Sequence, residues 1–278
     1  MDDRSVSHSE ISDHDACILR WHTRHVALLA APDDPDSPAS IGRLAHQMIA
    51  ASLLGEDPMD ALRAAIDRDG VRAAHQRALL AHRAWMIHRD ELYRDLSTVD
   101  VEQTMTVELD EGVWVSGVAD WLGIDIDGRR RIVDHKCTTI PFSLWRWGHR
   151  LSVERQLRFY DVLDCATRGG VDEDSIVAAH VIQMDSDDTV DMISFSVTAA
   201  ARRRMARWMR AFALTILDDA ERDWGSDDDS IMSMMQLGEH CGHCDVRDVC
   251  LQAMAGASGL RGMIDEHLEP RSRWAYRA

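Results

Sequence analysis

Lysine is almost missing from this chain of 278 residues: of 31 basic residues, one is lysine, Lys136, and the rest are arginine. A genome whose codons favour arginine explains the bias but not the survivor. Arginine suffices for surface charge, yet it cannot lose a proton near neutral pH, and its planar fork is not a point charge. The lone lysine is therefore a candidate for chemistry. An apolar run of transmembrane length is also missing. The start, Met-Asp-Asp-Arg-Ser, has no signal-peptide apolar region. The expectation is a cytoplasmic protein with no membrane contact. No G-x4-G-K-S/T pattern occurs, which argues against an intrinsic ATP motor. Net positive charge is lacking too. The formal charge of -17 weighs against a nucleic-acid partner. That argument is weak, because phosphates meet a local surface and the arginines are unevenly placed. Arg202, Arg203, Arg204, Arg207 and Arg210 form one group, and Arg146, Arg150, Arg155 and Arg158 a second.

What is present points to a packed protein. Hydrophobic residues make up 45% and charged residues 28%, enough to bury a sizeable core. The length suits one large domain, or a core with an inserted or terminal subdomain. There are six cysteines: Cys17, Cys137, Cys165, Cys241, Cys244 and Cys250. A cytoplasmic protein of this size has no need of disulfides, so clustered cysteines point to metal.

Along the chain, residues 1–16 read as a polar lead, followed by a short helix from about Ala16 to Ala31 that carries Cys17. The proline- and aspartate-rich stretch 32–38 is a loop by composition. Helical spacing of Ile41, Leu44, Ala45, Met48 and Ile49 predicts a helix from Ser40 to Leu54. Two more helices are expected over about 58–68 and 70–95, making 40–95 a helical block. Strands follow at Val99–Leu109, Val113–Ile126 and Arg130–Lys136, with turns at Glu111-Gly112 and Asp127-Gly128. A helix is expected from Val153 to Thr167, ending at Gly169-Gly170. A strand pair over Ser175–Met184 and Thr189–Ser196 comes next, then an arginine-rich helix over 198–223. A loop at Gly225–Ser230 leads to the cysteine-rich tail and a final helical stretch. This order predicts an α/β sheet with helical additions at both ends.

Asp120 lies on the second of the first three strands, and Asp134-His135-Lys136 on the third. Asp134 and Lys136 are two apart, so both leave the same face. If the strands pair as a hairpin, Asp120 approaches Asp134. Two carboxylates and a lysine on one face suit a divalent metal and its water, with hard oxygen ligands for magnesium or manganese. Such a metal acidifies water and offsets charge on an attacked phosphate. The lysine orients that water or neutralises developing charge. Asp-x-Lys alone is a poor motif, because a strand-end ion pair looks the same. Gln156 and Tyr160 are four apart and share a helix face. His46 follows Gly42 on the early helix, although a lone histidine among 14 is more often structural.

Taken together, these residues resemble a known family. Gly42-x-x-x-His46, Gly117-x-x-Asp120, Asp134-His135-Lys136 and Gln156-x-x-x-Tyr160 occur in the order and approximate spacing of the PD-(D/E)XK, RecB-like nuclease motifs. That family includes RecB- and AddB-type recombination nucleases and CRISPR-associated RecB-like exonucleases. The resemblance spans about 40–165. It implies a restriction-endonuclease-like mixed sheet flanked by helices, with a nuclease core over 99–200 in a single nuclease domain. It implies that His46, Asp120, Asp134 and the His135 backbone carbonyl ligate the metal. Lys136 is then the catalytic lysine, and Gln156 and Tyr160 position DNA. The implied activity is exonucleolytic hydrolysis of single-stranded or frayed DNA ends, in recombination, repair or CRISPR-type processing with corresponding protein partners. At Gly117, glycine lets the backbone pass closely, though a strand irregularity would look the same.

Cys241-Gly242-His243-Cys244 followed by Cys250, with a distant Cys17, is similar to the iron–sulfur staple of AddB-type and CRISPR-associated RecB-like nucleases. That similarity implies a [4Fe–4S] cluster on four thiolates, pairing the 236–278 segment with Cys17. By spacing alone, zinc is a rival, with His243 or His240 able to substitute for a thiolate. Reduced structural thiols are a third reading. Closing a loop of more than two hundred residues would restrict the unfolded chain. Cys137 and Cys165 read as core residues. Two other functional classes stay open: a non-catalytic DNA-binding or assembly module with the same fold, and a zinc-stapled structural protein.

Overall fold

The structure is a computed structural model. It describes residues 5–270 apart from 33, 71, 171–172 and 186–188; the side chains of 146–148, 150, 151, 239 and 243 also lie outside the description. In chain order the elements are β1 (Ser5–Ser7), α1 (His8–Ala16), α2 (Ile18–Trp21), a π-helical turn (His22–Val26), β2 (Leu29–Ala30), α3 (Pro38–Leu54), α4 (Pro58–Asp69) and α5 (Ala73–Leu92). Strands β3 (Leu96–Asp110), β4 (Val113–Asp125) and β5 (Arg130–Thr138) precede α6 (Phe142–Thr167), β6 (Ser175–Gln183), β7 (Val190–Val197) and α7 (Ala199–Glu221). The tail holds α8 (Asp228–Ser233), a 3-10 turn (Glu239–His243), α9 (Arg247–Met254), α10 (Leu260–His267) and β8 (Glu269–Pro270). Among the described residues no helix is long and apolar enough to cross a membrane.

The chain divides into two compact units. One comprises 34–107 and 116–207; the other comprises 1–33, the hairpin tip 108–115, and 208–278. The first unit holds a mixed sheet. β4 pairs antiparallel with β5, β5 parallel with β6, and β6 antiparallel with β7, while β3 pairs with β4. A parallel pair needs a crossover rather than a hairpin, and the 26-residue α6 supplies it. On this sheet sits a core of Ile41, Leu44, Ala45, Met48 and Ile49 from α3, alanines and Trp85 from α5, and Ile182 from β6. Ser37 caps α3, accepting from the Ser40 N–H, and Pro38 occupies its first turn, a position that needs no N–H donor.

In the second unit the structure departs from the sequence reading. Much of the polar lead is helix, α1, and it is buried through its polar side chains: His14 Nε2 lies 2.8 Å from Asp219 Oδ2, and Trp21 Nε1 donates to Glu10 at 3.3 Å. An apolar periodicity test cannot detect a helix that buries ion pairs. The helix expected over 16–31 is α2 plus a π-helical turn. Cys17 stands at the break before α2, its backbone extended at φ -166°. In the first unit, helix α6 starts about eleven residues earlier than expected, directly after Pro141. The expected loop at 225–230 runs into the short helix α8, capped by Asp227.

Candidate functional site

Strands β4 and β5 deliver the carboxylates. Trp121 pairs with Val133, and Asp120 and Asp134 are the adjoining residues at that end of the ladder. Both are buried. Lys136 lies two residues beyond Asp134, and its Nζ sits 2.8 Å from Asp134 Oδ2. Helix α6 supplies Gln156, whose Nε2 is 3.4 Å from Asp134 Oδ1 and donates to the Tyr160 hydroxyl at 2.8 Å. Gly117 has a steric reason. A Cβ there would meet side-chain atoms of both Tyr160 and Leu163 at 3.0 Å and force them to shift, so β4 lies close against α6 at this glycine. A Cβ at Gly42 would meet Cys137 at 3.8 Å, an ordinary contact.

Helix α3 carries His46 to the other carboxylate, with Nδ1 3.5 Å from Asp120 Oδ2. The His135 backbone N–H donates to Asp120 Oδ2 at 2.6 Å, and its ring Nδ1 lies 3.3 Å from the same oxygen. On the other side of the ring, Nε2 shares a hydrogen bond with the Tyr93 hydroxyl at 2.8 Å. Behind this chain, the His180 ring meets both Tyr93 and His135 edge-on.

The structure thus brings His46, Asp120, Asp134, His135, Lys136, Gln156 and Tyr160 into one connected set. Two further members escaped the sequence reading. Tyr93 ends α5 and follows no motif. Glu102, on β3, offers a carboxylate oxygen within 4.8 Å of donor atoms of His46 and Asp120. The strand was legible but Glu102 was not, since one acidic residue on a half-exposed strand is unremarkable by itself.

The electrostatics separate the two aspartates. Burial opposes ionisation of Asp120, but His46 and the His135 ring and N–H outweigh it, holding the carboxyl below the usual range. Asp134 shifts upward through burial and the charge of Asp120, against the pull of Lys136. Burial would lower Lys136, but the ion pair with Asp134 prevails and raises it, so the ammonium stays charged. Burial lowers His46 and favours the neutral, ligand-competent imidazole. Glu102 is exposed as a residue, yet crowding around its carboxyl and the charges of Asp120 and Asp134 push it up to about 8.

The second unit gathers the other candidate set. Cys17, Cys244 and Cys250 pack among Leu19, Ile231, Met234, Val246, Val249 and Leu260. The Cys250 thiol is pushed up to about 12, first by burial and then by the thiols of Cys244, Cys17 and Cys241. All four are free thiols. Arg24 ties the nest at its edge, donating to both oxygens of Asp245 at 2.8 and 2.9 Å and to Asp13 at 3.2 Å. Beside Cys241, the His240 ring nitrogen is 3.7 Å from the sulfur; the His243 side chain lies outside the described residues.

The arginine groups do not form a free basic stripe. Arg202 is buried, donating through Nε to Asp161 at 2.8 Å and also bonding Ser175, and Arg210 is paired with Asp110. Arg203, Arg204 and Arg207 are exposed. In the second group, Arg158 lies 4.9 Å from the Phe195 ring centroid, and the side chains of Arg146 and Arg150 fall outside the described residues.

A mixed sheet thus sets Asp120 on one hairpin strand and Asp134-x-Lys136 on the next, with a helical Gln156-x-x-x-Tyr160 beside them. The sequence profile of the PD-(D/E)XK nuclease superfamily matches residues 5–251, and the chain belongs to that superfamily. Its members are hydrolases that use divalent metals. Among solved structures, the chain is similar to a candidate exonuclease from Eubacterium rectale, with 14% identity, a TM-score of 0.49, and coverage of 79% of this chain and 82% of that one. It is also similar to the protein SSO0001, at 13% identity and a TM-score of 0.35, covering 87% and 94%. Among curated protein sequences none matches the chain.

Proposed function

We propose that this protein is a metal-dependent deoxyribonuclease that hydrolyses phosphodiester bonds from single-stranded or frayed DNA ends. The observation that carries the reading is the convergence of Lys136, His46 and Gln156 on two buried aspartates, Asp120 and Asp134. The donors are carboxylate oxygens and one imidazole, a set that fits magnesium or manganese. His46, Asp120, Asp134 and the His135 carbonyl would hold the cation. When bound, it supplies Lewis acidity toward the phosphate and a water of lowered pKa. The protein's own part is positional. Asp120 is fixed by His135, and Lys136 holds a compact positive charge beside Asp134 where negative charge develops. Gln156 and Tyr160 stand next to that lysine–aspartate pair, placed to orient a DNA strand. The requirement for DNA ends rests on the resemblance to RecB-like exonucleases.

The donor set in the second unit suits a [4Fe–4S] cluster: four free cysteines, of which Cys17, Cys244 and Cys250 pack in an apolar nest. Its contribution there is crosslinking, joining Cys17 to the Cys241–Cys250 segment.

The test is digestion of end-labelled linear single-stranded DNA against a closed single-stranded circle, with manganese, for wild type and Asp120→Asn. The expected result is manganese-dependent loss of the linear substrate only, abolished in the variant. Equal loss of the circle would remove the exonuclease assignment. Equal activity of Asp120→Asn would remove the site assignment, and absence of cleavage by the wild type would leave the non-catalytic DNA-binding reading.

A further inference from the structure

The family motifs do not account for every ligand-type group in the first unit. An imidazole nitrogen of His46, a carboxylate oxygen of Glu102 and a carboxylate oxygen of Asp120 all lie within 4.8 Å of one another. Glu102 belongs to none of the motif segments and comes from β3, a strand that carries no other candidate residue. Its backbone is left-handed, with φ 53°, in the middle of an otherwise regular strand. Glutamate seldom adopts that conformation, and here it accompanies a side chain directed toward two other carboxylates. Its electrostatic neighbours are Asp120 and Asp134, both acidic. Among the described residues, no hydrogen-bond donor or cationic side chain is paired with the Glu102 carboxylate.

We infer that Glu102 is a ligand of the divalent cation, held jointly with His46 and Asp120. This rests on the metal-dependent nuclease reading, and it extends the donor set to a residue outside the motifs. Carboxylates bind hard cations more strongly than neutral amides do, so the isosteric Glu102→Gln isolates the charge with little change of shape.

The experiment is manganese binding to the full-length protein, without DNA, by isothermal titration calorimetry and by the loss of the free Mn2+ electron paramagnetic resonance signal. Wild type, Glu102→Gln and Glu102→Asp are compared. The thermal midpoint of each is read in chelator and in manganese. Glu102→Gln should weaken manganese binding on the order of tenfold or more and lose much of the manganese-induced rise in midpoint. Its midpoint in chelator should be no lower than that of wild type. Glu102→Asp should retain part of the affinity. Unchanged affinity in Glu102→Gln overturns the assignment, including the case where cleavage falls while binding does not. That pattern would place Glu102 on the substrate or on proton transfer. If wild type itself takes up no manganese, the metal-dependent reading fails and this inference fails with it. If Glu102→Gln alone loses affinity, the inference stands whatever DNA substrate the enzyme prefers.

Discussion

Asp120 and His135 are joined twice through a single oxygen. The His135 N–H donates to Asp120 Oδ2 at 2.6 Å, and the His135 ring Nδ1 approaches the same atom at 3.3 Å. The ring is oriented by Tyr93, whose hydroxyl is hydrogen-bonded to Nε2 at 2.8 Å. A carboxylate held in this way cannot rotate freely, and orientation of ligands by such outer partners is worth about 10–100-fold in metal affinity or activity. Tyr93→Phe should therefore lower manganese-supported activity by roughly tenfold and raise the manganese concentration needed for half-maximal rate. The KM for DNA should change little. A manganese titration of the initial rate measures both. An unchanged half-maximal concentration would show that Tyr93 only fills space.

Lys136→Arg keeps the positive charge and should still be nearly inactive. Lys136 Nζ sits 2.8 Å from Asp134 Oδ2, with the side chain mostly shielded from solvent. The longer, planar guanidinium cannot occupy that point as a compact donor. A transition-state contact of this kind is worth a few kcal/mol, so the loss should be on the order of a hundredfold in single-turnover rate. DNA affinity, read by fluorescence anisotropy, should stay within a few-fold of wild type. A variant cleaving at near wild-type rate would reduce the lysine to a replaceable positive charge.

Cys17→Ala, Cys244→Ala and Cys250→Ala should each lose iron and destabilise the protein. Loss of a native crosslink that closes so long a loop costs about 3 kcal/mol or more, roughly 10 °C in Tm for a protein of this size. Metal analysis and a visible spectrum after anaerobic isolation test the first point, and a thermal melt the second. Stoichiometric zinc without iron would change the identity of the metal but not the crosslink.

Arg202→Ala should affect stability and not DNA binding. Its guanidinium is buried against Asp161, which is fully shielded, and against Ser175. Removing one partner strands a buried carboxylate, at a cost of about 3–5 kcal/mol. Denaturant melts should show that loss. The salt dependence of DNA affinity, which counts phosphate contacts, should keep the wild-type slope. A shallower slope would put Arg202 on the DNA instead of in the core.

The sequence by itself determined the strands β3, β4 and β5, the helices α3 to α5, and the spacing of Asp120, Asp134, Lys136, Gln156 and Tyr160. These features are local: alternation, turn residues and helical periodicity act over a few residues, and motif spacing is read along the chain. It also showed four cysteines in a metal-like arrangement, because two of the three gaps between them are short. Tertiary structure decided the rest. Helix α1 was hidden because its buried contacts are polar, and one of them, His14–Asp219, joins residues about two hundred positions apart. Arg202 and Arg210 looked like a basic stripe until the acidic partners on other elements, Asp161 and Asp110, came into view. Tyr93 and Glu102 carry no motif, and their place beside His135 and Asp120 exists only once α5 and β3 are packed against the sheet. Chemistry that depends on distance between residues far apart in sequence is set by packing, and no local pattern records it.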